Sequence, residues 1–127
     1  MPEPAPTPRT YRVRVITTSD EWAAWSAAVG KRPDENPHFA RVRHIAVTGE
    51  TILRFQSGGF DWVCPGCGRI LGGQLDDEPV SGWEHPRWTN TGTAERPTLT
   101  PSLGCPGWRR GNCDGHWFLR DGELVPA

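Results

Sequence analysis

Tyr11, Val13 and Val15 alternate with Arg12 and Arg14, a period of two that predicts a half-buried strand over residues 9–17. The period then changes. Thr18-Ser19-Asp20-Glu21 has the form of a capping box, in which the first and last residues satisfy the free amides of a helix start. Trp22, Trp25, Ala28 and Val29 follow at helical spacing, and Gly30 is a natural stop. A short helix over 19–29, packing two tryptophans on a sheet, is predicted. Residues 31–37 are polar, hold two prolines and read as a loop. Segments 41–47 and 51–56 flank Thr48-Gly49-Glu50 and predict a β-hairpin.

The second half predicts shorter strands. Residues 60–63 lead into Cys64-Pro65-Gly66-Cys67-Gly68, and 69–71 form a return strand. Residues 72–97 are weakly periodic, 98–103 are extended, and 105–115 form a loop. Segments 116–120 and 123–125 flank Asp121-Gly122, the strongest hairpin signal in the chain. Residues 1–8 are Pro-rich and read as a flexible arm, with 9–127 as a single compact domain. The fold class expected is α+β and mainly antiparallel. A β-α-β-β half (9–57) precedes a zinc-binding, zinc-ribbon-like half (58–127).

Fifteen glycines and thirteen prolines in 127 residues agree with short strands and loops. A net charge of −1 gives no electrostatic footprint for nucleic acid. No stretch is apolar for long enough to span a bilayer, and the N-terminus has neither the basic start nor the apolar run of a signal peptide. A cytoplasmic location is expected. Thiols stay reduced there, so four cysteines point to metal before disulfides.

Cys64-Pro-Gly-Cys67 followed by Gly68 is a metal-knuckle pattern. Two thiolates two residues apart grip one tetrahedral ion only if the backbone turns tightly between them; Pro65 presets that turn and the glycines permit it. Cys113-Asp-Gly-His116 repeats the spacing. The expected site is therefore one structural Zn²⁺ on Cys64, Cys67, Cys113 and His116, since thiolates with an imidazole favour zinc over calcium or magnesium. Cys105, in Cys-Pro-Gly-Trp, looks like half a knuckle. It is either a replacement for Cys113 or, as preferred, a buried free thiol. A redox pair at Cys64 and Cys67 is disfavoured because a glycine and a strand follow, not a helix.

Four protein ligands close a zinc site to chemistry, and neither H-E-x-x-H nor the deaminase H-x-E is present. Glu84-His85 is either a catalytic pair or, as preferred, a loop feature. Among seven tryptophans, Trp62 and Trp117 flank the ligand pairs and should shield the metal. Trp83, Trp88 and Trp108, with Arg87, Arg96, Arg109 and Arg110 nearby, either stack on a partner or cap a thin core; the second is preferred.

Four stretches, FDWVCPGC (60–67), WTNTG (88–92), RPTLTPSL (96–103) and CDGHWFLRDGEL (113–124), occur in this order. Together they resemble a family of small uncharacterised phage and bacterial proteins built around a C-x-x-C and a distal Cys/His pair. Some members carry the automatic label ammonia monooxygenase. The resemblance covers residues 58–125. It implies a zinc-binding β-rich fold and ranks Cys113 and His116 ahead of Cys105. It implies no activity, and an oxygenase would need copper or iron ligands that are not here. The function expected is a non-enzymatic, zinc-stabilised interaction protein with a host or viral protein as partner. A nucleic-acid-binding zinc ribbon and a zinc-dependent hydrolase are the alternatives.

Overall fold

The computed structural model describes residues 9–56, 58–75, 87–105, 113 and 115–127. The expected arm 1–8, the Glu84-His85 pair, Trp83, Trp108, Arg109 and Arg110 lie outside the described residues. Among the described residues, eight strands and two helices follow in the order β1 (Tyr11–Ile16), α1 (Ser19–Val29), α2 (Pro37–Thr48), β2 (Glu50–Gln56), β3 (Gly59–Val63), β4 (Ile70–Leu75), β5 (Arg87–Asn90), β6 (Leu99–Gly104), β7 (His116–Arg120) and β8 (Glu123–Pro126). The strands pair in chain order, and β1 also pairs with β8, which closes the sheet into a barrel. The expected α+β fold with a separate ribbon-like part is thereby corrected. The segments of both halves form one mixed barrel, parallel at β1–β2 and at β4–β5 and antiparallel elsewhere.

Helix α1 forms where the pattern predicts it. Thr18 Oγ1 accepts the Glu21 amide at 3.1 Å, and Glu21 Oε1 in turn accepts from Thr17 and Thr18. The Gly30 N–H closes the far end on the Ser26 carbonyl. Segment 41–47 is not a hairpin strand. It lies inside α2, capped by the Asn36 side chain on the His38 amide (2.8 Å) and begun by Pro37. Gly49, left-handed at φ 70°, ends it by donating to the Ile45 carbonyl. Ala40 and Ile45 are buried while Val47 is 81 % exposed, a helical distribution. The two helices supply the crossover that the parallel β1–β2 pair requires.

Two apolar clusters result. Val13, Leu53, Phe60, Trp62, Leu99, Leu103, Trp117, Leu119 and Leu124 form the larger one, with Cys64, Cys105 and Cys113 among them. Ile16, Ile52 and Val63, from the first three strands, pack with Trp25, Val29, Ala40 and Ile45 of the helices. Strands β1–β3 therefore bury residues on both faces, and Thr51, fully buried between them, donates to the Val63 carbonyl at 2.7 Å. Among the described residues no helix is long and apolar enough to cross a membrane.

Candidate active site and metal centre

The β3–β4 hairpin turns at the cysteine knuckle. The Cys64 amide bonds the Arg69 carbonyl (2.9 Å), and the Gly68 amide returns to the Cys64 carbonyl (2.8 Å). Gly68 adopts φ 74°, which favours glycine, and a Cβ there would strike the His38 carbonyl of α2. Arg41 Nε reaches the Gly68 carbonyl at 2.6 Å, so α2 braces the knuckle. At the same end of the sheet, Cys105 follows β6 and Cys113 precedes β7, and the Cys105 amide bonds the Gly115 carbonyl at 2.7 Å.

The Sγ atoms of Cys64, Cys67, Cys105 and Cys113 all lie within 4.8 Å of one another. Cys64 and Cys113 lie 3.5 Å apart and Cys67 and Cys105 3.4 Å. Tetrahedral zinc at ordinary Zn–S lengths sets thiolates about 3.8 Å apart, so the set fits such an ion. Two glycines make room for it. A Cβ on Gly66 would sit 2.6 Å from Cys113 Sγ, and one on Gly115 would sit 2.8 Å from Cys64 Sγ. Burial drives the Cys64 thiol far above its ordinary range and lifts Cys113 to about 11. Burial acts on Cys67 too, but hydrogen bonds from the Arg69 amide and from the neighbouring thiols outweigh it and hold Cys67 below its ordinary value. Four thiolates at this spacing repel one another, and a central cation is what lets all four ionise.

Cys64, Cys67, Cys105 and Cys113 thus stand together in one cluster. The four cysteines can hold a metal ion. His116 is placed differently. Its Nε2 lies 2.8 Å from Ser102 Oγ, both residues being half-buried. With Nε2 unprotonated, the hydroxyl donates to it, and this is the arrangement of a serine nucleophile beside a histidine base.

The strands explain how the pair forms. In β6–β7, Leu99 faces Leu119 and Leu103 faces Trp117, so four steps along β6 match two along β7. The extra residues bulge at Thr100-Pro101-Ser102, where the Thr100–Pro101 peptide is cis. Bulges re-aim side chains, and this one presents Ser102 to the histidine that opens β7. Leu103 and Trp117, the neighbours of the pair along the two strands, are buried. Trp117 stacks edge-to-face on Trp62 at 6.0 Å. Trp88 Nε1 donates to the Ser102 carbonyl at 3.3 Å, and its ring stands edge-to-face on Phe60 at 5.5 Å.

No sequence motif announces the pair. Ser102 and His116 are fourteen residues apart. Pro101-Ser102-Leu103-Gly104 also lacks the first glycine of a G-x-S-x-G elbow. The one signal was that Ser102 and His116 both lie in stretches carrying the family resemblance.

No curated protein and no solved structure matches the chain. Residues 33–127, well over half of the chain, match the family model described as BubE, bacterial ubiquitination-like system serine protease. That match overturns the expected non-enzymatic zinc-stabilised interaction protein, and it favours neither a nucleic-acid zinc ribbon nor a zinc-dependent hydrolase. The chain belongs to the BubE family, the serine proteases of bacterial ubiquitination-like systems.

Proposed function

We propose that this protein is a serine peptidase of a bacterial ubiquitination-like system, with Ser102 as nucleophile and His116 as general base. The observation that carries the reading is the 2.8 Å Oγ–Nε2 approach on a strand bulge, in a chain of a serine protease family. Ser102 Oγ attacks the acyl carbon of a protein substrate as its proton passes to His116 Nε2. The imidazolium then protonates the leaving group, and the acyl group stays on Ser102 until water, deprotonated by His116, releases it.

We further propose that the ion is Zn²⁺, held by Cys64, Cys67, Cys105 and Cys113. All-sulfur tetrahedral donors suit zinc, and a closed four-ligand set leaves no position for substrate, so its contribution is structural. Such a site with four unpaired thiols fits a reducing bacterial cytoplasm.

The test is covalent labelling. A fluorophosphonate probe should modify the zinc-containing protein at Ser102, as mapped by mass spectrometry. Ser102→Ala should abolish labelling, and His116→Ala should slow it by about 10⁴-fold or more. Labelling that survives Ser102→Ala, or its absence in folded wild-type protein, would refute the assignment.

A further inference from the structure

Both members of the Ser–His pair stand three residues from a thiol of the four-cysteine cluster. On β6 the order is Ser102-Leu103-Gly104-Cys105; entering β7 it is Cys113-Asp114-Gly115-His116. These are the two arms of one hairpin, with Gly104 opposite His116 and the Cys105 amide on the Gly115 carbonyl. The two arms lean on different thiols of the knuckle. Cys105 lies against Cys67 and Cys113 against Cys64.

We propose that Cys105 and Cys113 are positioning residues. By joining both arms to one ion, they set the separation of Ser102 from His116, so that the metal centre controls the reactivity of the serine without touching substrate. This rests on the Ser–His reading given above.

Two observations support it. Only Leu103 and Gly104, paired with Trp117 and with His116 itself, separate Ser102 from Cys105, so a displacement at the thiols has little intervening structure to absorb it. Regular pairing stops on the far side of the pair, where the bulge at Thr100-Pro101-Ser102 interrupts the register; the ladder there holds the arms less firmly than an unbroken one would. Proton transfer from Oγ to Nε2 needs hydrogen-bond reach, and a misplacement of about 1 Å costs about 100-fold in rate.

The experiment compares the zinc-bound protein with protein stripped by a strong chelator and verified metal-free, both by fluorophosphonate labelling of Ser102 and by amide hydrogen exchange. The expected result is labelling slowed at least about 100-fold and restored by added Zn²⁺, with exchange protection lost first at 103–105 and 115–117 while β1–β3 stays protected. Equal labelling rates in the two forms would overturn the coupling and leave the dyad standing. A zinc-bound form that never labels would overturn the dyad and this inference with it.

If stripped protein does not keep its fold, the zinc-bound protein decides. Coupling is reciprocal in binding free energy, so Ser102→Ala, which removes the Ser102–His116 contact between the arms, should change zinc affinity several-fold in competition with a chromophoric chelator. Identical zinc affinity in wild type and Ser102→Ala would overturn the proposal.

Discussion

Gly115→Ala is the sharpest test of where the thiols converge. The new methyl would sit 2.8 Å from Cys105 Cβ, 2.8 Å from Cys64 Sγ and 3.0 Å from Cys113 Sγ. Two of these three atoms are proposed metal ligands, and the third is the stem of another. Overpacking of this kind in a close-packed region costs about 1–3 kcal/mol. The sulfurs can move apart to relieve it when they hold no ion, but not when an ion fixes their separation. The cost therefore falls on the metal-bound state, and about 1–3 kcal/mol becomes about 5- to 150-fold weaker metal binding. Competition against a chelator of known affinity measures this. Gly30→Ala is the control. Nothing lies within 4 Å of its added methyl, but its backbone, at φ 60° and ψ 158°, occupies a region open essentially to glycine alone. It should lower the melting temperature through about 1–3 kcal/mol of strain while metal affinity stays at the wild-type value. Wild-type metal affinity in Gly115→Ala would mean that the ion is not held among these four sulfurs.

Trp88→Phe keeps the ring on Phe60 but removes the N–H that holds the Ser102 carbonyl; the lost bond, at about 1 kcal/mol, should slow fluorophosphonate labelling about fivefold, and an unchanged rate would remove Trp88 from the site. Glu35 is held at about 2, against an ordinary 4.5, first by the Arg43 guanidinium and then by the Arg32 amide. A carboxyl lowered in the folded state stabilises above its unfolded value and loses that contribution as pH falls through its folded value. The melting-temperature gap between wild type and Glu35→Gln should therefore be full above pH 4.5 and close towards pH 2; a gap independent of pH would show that the pairing of Glu35 with Arg43 does not act on stability.

What was legible in the sequence was what short stretches decide for themselves. Helix α1 carries its own cap and stop, and β7–β8 carries Asp121 and Gly122, both at positive φ, at its turn. Segment 41–47 reads as a hairpin strand because Thr48-Gly49-Glu50 resembles a turn; Gly49 is instead the left-handed stop of α2, which starts at Asn36-Pro37, outside the segment. Barrel closure was not legible. The β4–β5 pairing spans two rungs and β1–β8 two, and such short contacts between distant segments leave no periodic trace.

The site shows how one spacing takes different meanings on different backbones. Residues three apart converge where the chain turns tightly. Cys64 and Cys67 do so, because Pro65, Gly66 and the left-handed Gly68 close the knuckle between them. Ser102, in the bulge of β6, does not converge with Cys105 just past that strand, nor does Cys113, ahead of β7, converge with His116, which opens it; Ser102 Oγ meets His116 Nε2 while both thiols join the cluster. Each pair gives one buried thiol to the cluster and one half-buried polar group to the dyad. Cys113 Sγ lies among the four thiols, whereas His116 Nε2 lies beside Ser102 Oγ. On the assignments proposed above, that division lets a metal centre and a serine nucleophile share a single hairpin without competing for the histidine.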